Sequence, residues 1–273
     1  MHHRAAALTI AGLDPSGGAG IAADLRGFAA AGVWGCAVCA ARTVQSTRGV
    51  RSVHAVEARL VVAQARELLD DVAVRAIKIG ALGSAENARA VAALLQRHRR
   101  IPVVLDPVMV PSRRTGRARL DGDAAVPTLL VLARAATLVT PNSDEAGSLL
   151  GRKIVTATDA RDAAVALVEL GIRAVLLKGG HTGGERVVDW FATRRSVIPL
   201  SRARLSLPPV HGAGCTLASL IAGRLAARGG RGVANEADLL AAVRWARSRH
   251  ARALRNPLAI GRGMRVLDPR RRP

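Results

Sequence analysis

LTIAGLDPSGGAGIAADL, residues 8–25, decides the architecture of this chain. Apolar residues run through Ala5–Ala11 and end in the turn GLDPSGGAG, and Ile21–Ala31 reads as a helix. The same strand-to-helix step recurs along the chain. Strands are expected at Cys36–Val44, Ala76–Ile79, Pro102–Leu105, Thr137–Thr140 and Ala174–Leu177. Helices are expected at Glu57–Asp71, Ala85–His98, Ala124–Ala135 and Asp159–Leu170. Val187–Thr193 and Ser196–Leu200 read as a hairpin, and helices near 214–228 and 236–254 close the chain. Such alternation predicts an α/β fold, a mostly parallel central sheet with helices on both faces. No linker divides the chain, so a single domain over residues 1–273 is expected. The strand ends carry Asp14, Gln45, Gly80, Asp106, Asn142 and Lys178. Open parallel sheets bind ligands outside the carboxyl ends of their strands, so these residues are expected on one rim.

The composition narrows the function classes. The chain has no Tyr, two Phe and three Trp, which leaves little for stacking single-stranded nucleic acid. Its net charge of +21 is spread along the sequence, with dense runs only at Arg97–Arg100, Arg113–Arg119 and Arg270–Arg272. Dispersed charge makes no binding stripe, but a positive field attracts phosphorylated substrates. No nucleic-acid partner is expected. Cys36 and Cys39 form a CxxC in an expected strand, where alternation sends them to opposite faces, and no second pair exists for zinc. Three cysteines make no disulfide framework, which points to reducing cytoplasm. No apolar run reaches membrane-spanning length, so no membrane partner is expected.

HGAGCTLASLIAGRLA, residues 211–226, reads as a turn opening into a helix. Gly212, Ala213 and Gly214 would offer backbone N–H groups with no intrahelical acceptor, an anion site. Cys215 falls in the first turn, where the helix dipole and nearby cations favour thiolate. An anion hole beside an ionisable group suits phosphoryl transfer. No GxxxxGK[ST] occurs, and Gly18-x-Gly20-x-x-Ala23 lacks the downstream acid of a dinucleotide site. Lys178 in VLLKGGH places an ammonium where backbone can approach phosphates. In TPNSDEA, Asn142 and Glu145 fit either a capping box or a water-mediated Mg²⁺ site. Asp106 in VVLDPVM is an Asp-Pro turn or a partner in that site. Gln45 offers both a donor and an acceptor, matching an aminopyrimidine edge, although the residue alone reads more readily as a solvated loop glutamine. Asp14 and Asp24 are further candidate acceptors for a small polar ligand.

These segments, together with VQSTRGV (44–50), KIGAL (78–82) and IGRGMRVLDP (260–269), resemble in this order the hydroxymethylpyrimidine/phosphomethylpyrimidine kinases of thiamin biosynthesis, within the ribokinase-like superfamily. The resemblance implies two phosphorylations at one site with ATP and Mg²⁺. The first acts on 4-amino-5-hydroxymethyl-2-methylpyrimidine, the second on its monophosphate. It implies that Gln45, Asp24, Gly12, Ala19 and Val108 bind the pyrimidine, and that Gly212, Ala213, Gly214 and Cys215 form the catalytic anion hole. It further implies ATP contacts by Lys178, Asp106 and Thr216, Mg²⁺ held by Asn142 and Glu145, and a homodimer. Three positions depart from the family pattern. Ala81 stands where the family has Met, Ala213 where it has Thr, and PSRRTGR (111–117) replaces Lys-Ser-Gly. Pyridoxal or pyridoxine phosphorylation, a basic nucleic-acid-binding role and a non-catalytic pyrimidine module are the competing readings.

Overall fold

The opening apolar run forms β1 (Ala6–Leu13), buried over all but its last residue. A strand covered on both faces belongs at the centre of a sheet. β1 lies between two parallel neighbours, β2 (Trp34–Ser46) and β4 (Val74–Ile79). The computed structural model describes residues 4–108, 125–181, 184–208, 210–228 and 232–271. Beyond β4 the sheet continues in parallel through β5 (Val103–Leu105), β6 (Leu138–Val139) and β7 (Ala174–Leu177). It ends in the antiparallel β8 (Arg186–Thr193) and β9 (Val197–Ala203), the expected hairpin. On the other edge β3 (Gly49–Ala55) turns back against β2. The order is β3-β2-β1-β4-β5-β6-β7-β8-β9. The chain leaves β1 in one direction and returns beside it at β4, so the switch in strand order falls at the end of β1.

Two cores cover the sheet. One face packs Val61 and Ala65 of α2 (Ala58–Asp71), Val91 and Leu95 of α3 (Ala85–Arg97), Leu132 of α4 (Ala125–Ala135), Leu149 of α5 (Ser143–Leu150) and Leu167 of α6 (Ala157–Glu169). The other packs Phe28 of α1 (Gly20–Ala30), Leu220 and Ile221 of α7 (Ala213–Ala227) and Leu239 and Val243 of α8 (Glu236–Arg255). Helices α1 and α7 touch closely. A Cβ on Gly27 would stand 2.1 Å from Ser219 Oγ. This contact sets the start of α7 beside the turn that follows β1.

The sequence reading differs from the fold at the margins. β3 was not among the expected strands; its pattern carries only Val50 deep in the core, as suits an edge strand. The pair β10 (Val210–His211) and β11 (Arg265–Val266) was not expected either. Cys36 is buried and Cys39 is half-buried, its thiol donating to the Ala41 carbonyl at 3.3 Å. Among the described residues no group of three or more His, Cys, Asp and Glu is placed to hold a metal, and no helix is long and apolar enough to cross a membrane. Residues 111–117, with Arg113 and Arg114, and the last arginine of the tail lie outside the described residues.

Candidate active site

Asp14, at the end of β1, organises the turn beyond it. Its carboxylate accepts the N–H groups of Ser16 at 2.9 Å and Ala19 at 2.8 Å, and the Ser16 hydroxyl at 2.8 Å. It also meets His211 Nε2 at 2.8 Å. Burial alone would raise its pKa, but the His211 and Ser16 hydrogen bonds outweigh that and hold Asp14 ionised. The turn and the residues before α7 meet at backbone distance. Gly212 adopts φ +75, and a Cβ there would stand 1.9 Å from the Gly18 carbonyl oxygen. Only glycine fits both the left-handed conformation and the gap.

Gly212 is the N-cap of α7 and no side chain caps that helix. The amides of its first turn therefore point outward without an intrahelical acceptor. A Cβ on Gly214 would lie 3.2 Å from Lys178 Nζ and 3.4 Å from Asp106 Oδ2, so the helix start faces this pair. Lys178 Nζ donates to Asp106 Oδ1 at 3.1 Å and lies 3.8 Å from Glu145 Oε2. Burial opposes both charges, but Lys178 and Lys78 keep Asp106 well below its usual range, and the two carboxylates keep Lys178 protonated. Glu145 is the surplus carboxylate. Burial, with Asp106 and Asp144 nearby, pushes it up to about 7 against the pull of Lys178.

Asn142 and Glu145 form the capping box of α5. Glu145 Oε2 accepts the Asn142 N–H at 2.8 Å, and Asn142 Oδ1 accepts the Glu145 N–H at 2.8 Å. The capping alternative is thus real, and it still leaves Glu145 Oε1 outside the cap. Cys215 departs from expectation. Burial pushes its thiol up to about 12, although Lys78 and the Gly20 N–H pull the other way. The thiol sits near Asp106 and helps to lower the pKa of that carboxylate. Burial outweighs the helix dipole, so the sulfur keeps its proton at neutral pH.

A cavity of about 690 Å³ opens at these strand ends. Gly12, Ala19, Gln45, Asp106, Val108, Asn142, Glu145, Lys178 and Gly212–Cys215 all line it. Two expected contacts do not. Asp24 is fully buried, accepting from Lys78 Nζ at 2.8 Å and from the Thr9 hydroxyl at 2.7 Å. Its place inside α1, packed on β1 and β4, points it into the sheet. Thr216 is also buried outside the lining, its hydroxyl without a partner among the described residues, because the fourth residue of α7 turns toward the core. Sequence reasoning missed His211 and Lys78. His211 lies two residues before the start of α7 and opens the motif of residues 211–226. Lys78 is a cation flanked by Ile77 and Ile79 in the buried half of β4, which signals a buried partner. Burial works against its charge, but Asp24, Cys215 and Asp106 outweigh it and raise its pKa.

The sequence model described as phosphomethylpyrimidine kinase matches residues 14–268. The chain belongs to this family. The hydroxymethylpyrimidine/phosphomethylpyrimidine kinase of Escherichia coli is 41% identical over 79% of this chain and 81% of its own. The solved phosphomethylpyrimidine kinase of Clostridium difficile is 31% identical with a TM-score of 0.74, covering 91% of this chain and 98% of its own. A pyridoxal kinase of Bacillus subtilis, solved as an ADP complex, is 27% identical with a TM-score of 0.84, covering 98% and 97%. In this phosphomethylpyrimidine kinase family member, Ala81 and Ala213 both line the cavity. These small side chains leave more room at the site than the Met and Thr that the resemblance implies.

Proposed function

We propose that this chain phosphorylates 4-amino-5-hydroxymethyl-2-methylpyrimidine and then its monophosphate, using ATP; relatives named hydroxymethylpyrimidine/phosphomethylpyrimidine kinase support this reading. The carrying observation is the uncapped start of α7 set against the Lys178–Asp106 pair, with Gln45 on the wall of the same cavity. The α7 amides and Lys178 hold the transferring phosphoryl group, where catalysis is positioning and charge stabilisation. Gln45 reads the pyrimidine edge, and Gly12, Ala19 and Val108 pack around the ring. Cys215 acts as a thiol. Its sulfur accepts the substrate hydroxyl proton while its own hydrogen passes to Asp106. Proton loss is late in a loose transition state, which reduces the demand on this weak relay.

The donor set fits Mg²⁺. Glu145 and Asp106 are hard oxygen donors, and one carboxylate exceeds what Lys178 neutralises. Because the capping box engages Asn142 Oδ1 and Glu145 Oε2, Asn142 and Glu145 would hold the ion chiefly through water. When bound it would neutralise charge on the phosphates. The continuous sheet supports one domain, three scattered thiols support a cytoplasmic setting, and the homodimer rests on the family resemblance alone.

Pyridoxal phosphorylation is the second reading, favoured by the Bacillus subtilis structure and by Ala81 on the cavity wall. Steady-state ADP release with the pyrimidine, its monophosphate and pyridoxal separates the two. The pyrimidines are expected to turn over with the higher kcat/KM, and preference for pyridoxal reverses the assignment.

A further inference from the structure

Two hydrogen-bond conflicts meet at the Gln45 amide. His211 Nε2 lies 2.8 Å from Asp14 Oδ2 and 2.9 Å from Gln45 Nε2. An ionised Asp14 can only accept, so Nε2 carries a hydrogen. That hydrogen then faces an amide NH₂, donor against donor. On the far side of the same amide, Thr43 Oγ1 lies 2.8 Å from the Leu13 carbonyl oxygen and 3.1 Å from Gln45 Oε1. The hydroxyl has one hydrogen and the carbonyl can only accept. Thr43 therefore gives its hydrogen to Leu13 and meets Gln45 with a lone pair, acceptor against acceptor. Exchanging the two isosteric ends of the amide removes both conflicts without moving a heavy atom. The single His211 Nε2 hydrogen is then shared between two acceptors, Asp14 Oδ2 and Gln45 Oε1, in a bifurcated bond, and Gln45 Nε2 donates to Thr43 Oγ1. Among the described residues His211 Nδ1 is buried with no partner, so there the ring bonds through Nε2 alone. Changing tautomer would leave Asp14 facing a bare nitrogen.

We propose that His211, held by Asp14, is a positioning residue that fixes the Gln45 amide with its oxygen toward His211 and thereby sets which way round the pyrimidine binds. This inference rests on the pyrimidine-kinase reading. The remaining Oε1 lone pair accepts from the 4-amino group, and the remaining Nε2 hydrogen donates to ring N3. The 5-hydroxymethyl group is adjacent to the 4-amino group, so it falls on the His211 side. From His211 the chain runs directly into Gly212 and the start of α7, where the phosphoryl group is held. The opposite amide orientation would turn the hydroxymethyl group away. A 4-oxo analogue, with N3–H and a carbonyl, presents the reversed pattern and is rejected.

The test compares kcat/KM for the 4-amino pyrimidine and its 4-oxo analogue in wild type, His211→Asn and Thr43→Val. Wild type should favour the amino compound by at least about 100-fold. His211→Asn offers either a donor or an acceptor to Gln45, and should shrink that ratio roughly tenfold or more, whatever happens to absolute activity. Thr43→Val should shrink it in the same direction. An unchanged ratio in the active variants overturns the proposal while leaving the kinase reading intact. Folded wild type that turns over neither pyrimidine removes both. Should the variants fail to fold, ¹⁵N-labelled wild type decides. Gln45 NH₂ cross-peaks to the Thr43 methyl support the proposal, and cross-peaks to the His211 ring protons overturn it.

Discussion

Cys215 illustrates how burial can override a local field. A helix start and nearby lysines favour a thiolate, yet desolvation lifts the thiol to about 12. We predict that Cys215 resists alkylation at pH 7–8, with no step in rate near the ordinary thiol range, checked by iodoacetamide mass spectrometry against denatured protein. Cys215→Ala should lower kcat by about 100-fold and leave the Kd for ATP within a few-fold, measured by single turnover and calorimetry. Glu145 carries a second pH signature. Its folded pKa of about 7 exceeds the ordinary value of 4.5, so between those limits the folded state binds more protons than the unfolded chain. Stability from this group is therefore lost as pH rises from about 4.5 to 7 and stays lost above. Glu145→Gln keeps an amide oxygen for the cap. It should raise Tm by a few degrees at pH 8 and change it little at pH 5, while lowering turnover. Thermal melts at both pH values check this.

At the level of elements, the site depends on how closely three of them approach. Gly212→Ala would drive a methyl into the Gly18 carbonyl and force the left-handed residue out of its conformation. The expected result is loss of at least about 100-fold in kcat/KM in whatever protein folds, read from steady-state kinetics and circular dichroism. Beneath the cavity, α1 and β4 are joined by the fully buried Asp24–Lys78 pair. Lys78→Met alone should cost about 3–5 kcal/mol by leaving a buried carboxylate unpaired. Adding Asp24→Leu should recover part of it, as urea titrations would reveal. Much of this was legible beforehand. Val, Ile and Leu runs ending in Asp106, Asn142 and Lys178 marked the strands and their rim, because period and turn chemistry are local. Asp24 and Thr216 were not placed, because which face of a helix is buried depends on its neighbours. His211 was unreadable as an orienting group, since its partners Asp14 and Gln45 reach it from distant strand ends.

Across the whole molecule, charge and topology act together. The net charge of +21 should draw anionic substrates toward the cavity. We predict that kcat/KM for the pyrimidine monophosphate falls more steeply with ionic strength than that for the uncharged pyrimidine, measured from 20 to about 300 mM salt, where the Debye length shortens from about 20 Å to about 6 Å. Equal slopes would show that the field contributes nothing to capture. Topology has a different consequence. Asp14 and His211 are 197 positions apart, and the backbones at Gly18 and Gly212 meet with no room for a side chain. A nascent chain on the ribosome must hold β1 in waiting until His211, 197 residues after Asp14, has emerged. Binding competence therefore arrives late in synthesis and in one step, so truncated translation products would be inert rather than partly active.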